Sequence, residues 1–498
     1  MKKPNFVLGT APKLGDLSAV VEEGRKLSFQ SGSLRRVAAA RKSLLDLARS
    51  GDPIYGVNTG FAELASKRIP GDQLAQLQRN LVLSHACGVG ELLAPAEARA
   101  MLWLRANELA RGHSGVRPEL VEFMARLFNA NVVPAVPSRG SLGASGDLAP
   151  QAHIALLIIG EGKAVVNGRL VPAKAALKRA GLKPFPLEAK EGLALLNGTQ
   201  AMQAVGGLAL WRALRALGAA QLAGAMSLEA MTGTPVPFAD EIQRLKPHPG
   251  QIECARQLRE LLSGSAIRES HRENDSRVQD PYSLRCMPQV HGAILDVLQN
   301  SKRTVEIELS SVTDNPLISG GKVLSGGNFH GQALSFAYDS AAAAMTALGN
   351  ISERRIFQLI LGQSPGLNIY LARNPGLESG WMIPQYVAAA LASENKTLAH
   401  PASADSIPSS ANKEDFVSMG MWSALKFKKI VANTAQIIGI ELLCAAQGVE
   451  VHAPLSPGKG VAEGLKKLRA KAKRAVGDEP LGPRMELARE LILEGYFG

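Results

Sequence analysis

The feature that most constrains this chain is the length of its helical patterns. Over residues 202–232, 332–361 and 422–447, apolar side chains recur at three- and four-residue spacing. Good helix formers (Ala, Leu, Gln and Arg) fill much of the rest. Shorter runs of the same kind cover 97–111, 118–129 and 290–307. A helix of more than 25 residues needs neighbours along its whole side, so an all-α fold is predicted, with a central bundle of long helices beyond about residue 200. The first 200 residues alternate shorter helical segments with Gly, Pro, Asn and Ser clusters at 51–60, 130–150 and 192–199. Two domains follow: 1–200, smaller helices and loops suited to carrying an active site, and 201–498, the bundle and a C-terminal helical region. One hairpin is expected at 164–171, with Asn167-Gly168 as its turn.

Composition removes several alternatives. With 46% apolar and 20% charged residues over 498 positions, a disordered chain is excluded. The four cysteines form no C-x-x-C pair and no Cys/His cluster, so neither a disulfide framework nor a metal site is expected. The most apolar long segment, 201–224, is interrupted by Gln203, Arg212, Arg215 and Gln221, and the basic N-terminus lacks a long apolar segment. No membrane span and no export are expected, hence a cytoplasmic protein. The net charge of +12 raises the question of nucleic acid. Basic residues gather in 25–49 and 459–474, interleaved with Ala and Leu, and only 5% of the chain is aromatic. Solvated helix faces are therefore favoured over a basic nucleic-acid-binding helical protein.

The segment Gly140-Ser141-Leu142-Gly143-Ala144-Ser145-Gly146-Asp147 is the chemically informative one. It reads as a tight turn before a helix that Asp147 would cap. An Ala-Ser-Gly tripeptide in a tight bend can also cyclise: the Gly146 nitrogen attacks the Ala144 carbonyl, and water is lost there and across the Ser145 Cα–Cβ bond. Glycine suits the attacking position because no Cβ blocks the approach. The product, a methylidene-imidazolone (MIO), is an electrophile made from backbone, and a helix N-terminus beside it favours developing negative charge.

Around this motif the chain resembles the aromatic amino acid lyase family. The resemblance spans residues 55–418 and rests on YGVNTGFAEL from Tyr55, LVLSHACGVG from Leu81, GSLGASGDLAPQAH from Gly140, EGLALLNGTQ from Glu191, VQDPYSLRCMPQV from Val278, TDNPL from Thr313, SGGNFHG from Ser325 and HPASADSIPSSANKEDFVSMG from His400. It implies a homotetramer with active sites built from more than one subunit, an MIO formed from Ala144, Ser145 and Gly146, no metal, and elimination of ammonia from an aromatic L-amino acid.

It also implies roles. Tyr55 is the base for the β-proton, and Tyr282 supports the electrophile. Arg285, one helical turn beyond Tyr282, clamps the substrate carboxylate. Asn197 contacts the MIO oxygen and the substrate, Gln279 is a polar contact and Phe329 a wall. Outside these blocks, Asn197 would read as a plain Asn-Gly turn, Phe329 as core packing, Tyr282 as a helix-start packing residue and Glu414-Asp415 as a surface pair. Ser84-His85 and Glu414 resemble the members that act on L-histidine and release trans-urocanate, because a carboxylate can accept from an imidazole N–H. Phenylalanine or tyrosine ammonia-lyases and aromatic 2,3-aminomutases are the alternatives. Three features depart from this pattern: Ala62 where the family usually has Gly, Lys413 where Gln is common and able to pair with Glu414, and Gln385-Tyr386, which resembles members that act on tyrosine or that shift the amino group.

Overall fold

The structure, a computed structural model, describes residues 4–49, 53–60, 66–273, 275 and 277–497. Ala62 lies outside the described residues. Helix accounts for 59% of the chain and strand for 8%, a mainly helical fold. The chain divides into two compact units: residues 1–208, 302–338 and 401–425 form one, and 209–301, 339–400 and 426–498 the other.

The first unit is built from short pieces. Helices Ser33–Arg49, Leu74–His85, Pro95–Leu109, Pro118–Asn129 and Leu148–Ile158 are joined by small sheets. One sheet has three strands, in which Val133–Pro134 joins the hairpin Lys163–Val166/Arg169–Pro172. Asn167 and Gly168 both adopt positive φ, +50° and +75°, as a tight two-residue hairpin turn requires. The Pro118–Asn129 helix starts on its proline and buries Leu120, Val121, Phe123, Met124, Leu127 and Phe128, so the predicted bounds and the observed ones coincide.

The second unit holds most of the long helices. Gln200–Ala230, Met287–Leu309, Gln332–Ile360 and Gly420–Val451 begin or end one turn or less from the predicted runs, except that Gly420–Val451 extends four residues further at its C-terminus. Small residues let these helices approach: a Cβ on Gly448 would lie 2.7 Å from the Ala230 Cβ, and one on Gly224 2.4 Å from the Met287 sulfur. A buried charge network ties them together. Arg355 pairs with Glu441, which also accepts from the hydroxyls of Ser227 (2.8 Å) and Ser352 (2.5 Å). An unpaired charge there would be strongly destabilising, so the pair works as a unit.

Two local expectations are corrected. The most apolar long helix is Gly420–Val451, not the 201–224 segment. A window of it has mean hydropathy 1.4, long and apolar enough for a bilayer span, but 94% of that window is buried inside the protein. Asp147 occupies the N-cap position of Leu148–Ile158 without capping it. Its carboxylate instead accepts from the Met202 N–H (2.9 Å), at the start of Gln200–Ala230, and from the Ser141 hydroxyl (2.9 Å). The buried acid thus caps a different helix from the one its sequence position suggests.

Candidate active site

Residues Gly143 to Gly146 make a tight turn closed by a Gly146 N–H to Gly143 carbonyl bond of 3.2 Å. Ser145 sits at φ +49°, a left-handed conformation that costs a non-glycine residue about 1–2 kcal/mol. Gly146 follows at φ +82°. A Cβ there would lie 2.2 Å from the Gly198 carbonyl oxygen, so the close approach of a second loop requires glycine. That loop is locked on by Asp147 N–H to Gly198 O (2.8 Å) and Gly198 N–H to Ser145 O (3.0 Å). These residues fit the proposed ring closure: a strained, pinned tripeptide with room for nothing larger than glycine at its third position.

Behind the turn lies a buried polar network. Arg105 donates to the Asn197 carbonyl, to the Gln200 side chain and to Glu108. Thr313 donates to Glu108 (2.9 Å), and Thr199 to Glu308 (2.7 Å). Burial pushes the Asp147 carboxyl up to about 6, against the pull of its hydrogen bonds. Burial, with Glu108 and Asp147 nearby, pushes Glu308 up to about 7. The Asn197 amide donates to Asp314 Oδ1 (3.3 Å) and to the Asn315 carbonyl (3.0 Å). Lys190, fully buried, pairs with Asp314 at 2.8 Å. None of Arg105, Glu108, Lys190, Glu308 or Asp314 was read as functional from sequence. The available signal was charge inside apolar blocks, Lys190 just before EGLALLNGTQ and Asp314 within TDNPL.

On the open side of the turn, Ser145 Oγ lies 3.5 Å from Glu414 Oε1. The Glu414 carboxylate also accepts from Ser409 (2.8 Å) and Ser410 (2.7 Å) hydroxyls. It is therefore a half-buried, hydrogen-bonded acid beside the turn. Three consecutive left-handed residues, Ser410, Ala411 and Asn412 at φ +49° to +67°, present it, a concentration of strain that the surrounding fold must hold. Met419 N–H to the Leu142 carbonyl (3.0 Å) fastens this segment to the motif loop. His85 ends the Leu74–His85 helix and meets the Ser84 hydroxyl at 3.0 Å. Burial lowers its pKa, partly opposed by the Leu81 carbonyl and by Glu414, so the ring is neutral near pH 7. Tyr55 is half-buried between core residues Ile54 and Val57, in a turn anchored by Gln78 to the Gly56 carbonyl (3.2 Å). Phe329 is half-buried in the turn preceding Gln332–Ile360.

Ala144, Ser145, Gly146, Tyr55, His85, Asn197, Phe329 and Glu414 are all in the first unit, whereas Gln279, Tyr282 and Arg285 are in the second. The short helix Tyr282–Arg285 puts the Arg285 guanidinium 4.4 Å from the centre of the Tyr282 ring, the shared face expected from their spacing. Arg285 and Gln279 line a cavity of about 380 Å³ with Thr234, Cys286 and Gln289. Arg285 Nε is buried without a hydrogen-bond partner among the described residues, a donor suited to an incoming carboxylate. Gln385, by contrast, is buried and donates to Glu353 (2.8 Å) inside the second unit, so it has a local structural use. Among the described residues, no group of three or more His, Cys, Asp and Glu is arranged to hold a metal ion.

Residues 13–470 match the aromatic amino acid lyase family, and the chain belongs to it. It is 51% identical over 495 residues to a histidine ammonia-lyase of Stigmatella aurantiaca, covering 99% of this chain and 95% of that one. Among solved structures, histidine ammonia-lyase from Trypanosoma cruzi superposes with a TM-score of 0.91 at 39% identity, covering 99% of this chain and 94% of the other. Tyrosine aminomutase from Streptomyces globisporus superposes with a TM-score of 0.92 at 37% identity, over 99% and 97%.

Proposed function

We propose that this protein is a histidine ammonia-lyase that converts L-histidine to trans-urocanate and ammonia in the cytoplasm. The Cα–N bond and one Cβ–H bond break, the Cα=Cβ double bond forms, and the amino nitrogen leaves as ammonia. The observation that carries the reading is the approach of Ser145 to Glu414 at 3.5 Å, in a turn whose Gly146 tolerates no Cβ. It sets a carboxylate able to accept from an imidazole N–H beside the tripeptide. The relatives near 50% identity named histidine ammonia-lyase support the same substrate.

Ala144, Ser145 and Gly146 would form the MIO, which supplies the electrophile that makes an otherwise unreactive β-proton removable. Tyr55 takes that proton as base, and Arg285 holds the carboxylate as a charged fork. Glu414 accepts from the imidazole, and neutral His85 adds a second polar wall. Asn197 and Gln279 are polar contacts and Phe329 an apolar wall, with Tyr282 supporting the electrophile. The working form is a homotetramer whose active sites draw on more than one subunit, with no metal, nucleic acid or membrane partner; family resemblance supports this, and light scattering tests it.

Incubation with L-histidine, L-phenylalanine and L-tyrosine in parallel, following each unsaturated product by ultraviolet absorbance, tests the assignment. Preference for L-histidine is expected. Preference for either other substrate, or accumulation of a β-amino acid, would overturn it in favour of the alternative lyases or an aminomutase.

A further inference from the structure

Immediately after His85 the chain turns back sharply onto the motif segment. Ala86, at φ −79° and ψ 58°, is the centre of an inverse γ-turn closed by the Cys87 N–H on the His85 carbonyl (2.9 Å). Gly88 then enters a crowded junction. A Cβ on it would lie 3.0 Å from His153 Nε2, 3.3 Å from the Arg139 carbonyl oxygen and 3.3 Å from the Pro137 Cβ. Gly140, where the motif segment begins, packs on the same point: a Cβ there would lie 3.3 Å from Gly88 Cα. Beyond Gly88 the strand Val89–Leu92 runs antiparallel to Pro137–Arg139, which leads directly into Gly140. The path from His85 to the motif is therefore short, and backbone nearly throughout.

The side-chain hydrogen bond at this junction comes from His153, on the helix Leu148–Ile158 that grows out of the motif. The Gly88 N–H meets His153 Nε2 at 3.2 Å. A backbone N–H can only donate, so Nε2 accepts and the ring proton sits on Nδ1. His153 is half-buried, and burial lowers its pKa, which keeps the ring neutral and the acceptor available. His85 in turn feels the charge of Glu414, whose own direction is set by the hydroxyls of Ser409 and Ser410. Each of the two polar walls thus has its own anchor, hydroxyls for Glu414 and an imidazole for the turn that carries His85.

We infer that His153 is a positioning residue for substrate selection: by accepting the Gly88 N–H it ties the turn that carries His85 to the helix that follows Ala144-Ser145-Gly146, and so fixes where His85 stands against the ring of the substrate. This rests on the reading above that His85 and Glu414 face an imidazole. His153 touches no substrate and acts through His85, so its loss weakens recognition of the ring and leaves recognition of the carboxylate, held by Arg285, as it was.

Two inhibitors with the same carboxylate and chain length but different rings, 3-(imidazol-4-yl)propanoate and 3-phenylpropanoate, provide the test. Their inhibition constants are measured on the unaltered protein and on His153→Leu, His153→Gln and His153→Asn, each checked by circular dichroism. His153→Leu removes the acceptor and should weaken the imidazole acid about tenfold while leaving the phenyl acid unchanged, the loss expected when one hydrogen-bonding group is displaced. The side-chain oxygen in His153→Gln reaches the place of Nε2 and should hold the imidazole acid within about threefold of the native value. The shorter side chain in His153→Asn reaches only the place of Nδ1 and should behave like His153→Leu. Equal weakening of both acids, no weakening in a folded His153→Leu, or His153→Gln resembling His153→Asn overturns the inference. Where His153→Leu does not fold, the pair His153→Gln and His153→Asn decides alone, and loss of fold in His153→Gln, which keeps the acceptor, also overturns it. The unaltered protein is measured first. If it does not prefer the imidazole acid, the proposed substrate fails and this inference with it, whereas that preference beside a failed set of variants overturns the inference alone.

Discussion

Replacing Gly146 with alanine separates the structural need for glycine from the chemical one. In the native turn Gly146 has φ +82°, where an L-residue pays about 1–2 kcal/mol. The added Cβ would stand 2.2 Å from the Gly198 carbonyl oxygen and 2.4 Å from its carbon. Both are backbone atoms of the partner loop, so neither can swing aside as a side chain could. Relief means parting the two loops, at the expense of the Asp147–Gly198 and Gly198–Ser145 bonds of 2.8 and 3.0 Å, each contributing about 1 kcal/mol. Together these place the loss of stability for Gly146→Ala at about 3–4 kcal/mol, a large fraction of a typical folding free energy. Ser145→Ala is the control. Alanine accepts the same turn and leaves the Gly198 contacts in place, so Ser145→Ala should remain about 3–4 kcal/mol more stable than Gly146→Ala. Urea denaturation monitored by circular dichroism, on both variants under identical conditions, measures the difference. If Gly146→Ala unfolds at the native urea midpoint, the two loops do not meet as described, and the structural argument for this turn fails.

Three further outcomes follow from the same geometry. Ser145→Ala should keep its fold yet lose nearly all ammonia release, because no methylidene can form from alanine; activity near the native level would refute the electrophile. Glu414→Gln keeps the shape but removes the charge facing the imidazole. It should lower kcat/KM for L-histidine about ten- to a hundredfold while leaving binding of a carboxylate-only analogue unchanged; an unchanged L-histidine rate would refute the assignment. The third concerns Glu308, whose carboxyl burial raises from 4.5 to about 7. The folded state holds this proton more tightly than the unfolded chain, so the stability it contributes is complete below about pH 4.5 and is lost as pH rises through about 7, on the order of 3 kcal/mol. Glu308→Gln is neutral at every pH, so its urea midpoint should fall less between pH 5 and pH 8 than that of the native protein, and identical slopes would refute this.

What was legible in the sequence was what repetition and turn chemistry encode. Apolar spacing located the long helices, because a buried helix must repeat its core face every turn, and Asn167-Gly168 marked its hairpin because few residues tolerate that turn. The motif loops were legible as glycine clusters. Illegible were the partners brought by distant chain segments. Asp147 precedes one helix but caps another, since capping depends on which N-terminus lies within reach in space. The buried ions Lys190, Asp314, Arg105 and Glu108 contradict the rule that charges face water, and only their neighbours make them tolerable. Glu441 sat within an apolar run, 422–447, and Arg355 within 332–361; either charge inside a core face was a sign of an interhelical pair. The basic stretch 459–474 is partly matched locally, Arg469 with Glu450 at 2.6 Å and Lys467 with Glu463 at 3.1 Å, while Lys466 and Lys467 remain exposed.

The central claim is that Ala144, Ser145 and Gly146 are converted into the electrophile on which ammonia elimination depends. Peptide mass spectrometry of the purified, active protein across this segment measures it directly. The account predicts a peptide lighter than its sequence by two waters, with the loss confined to residues 144–146 and absent in Ser145→Ala. An unmodified peptide recovered in full from protein that releases ammonia would contradict it.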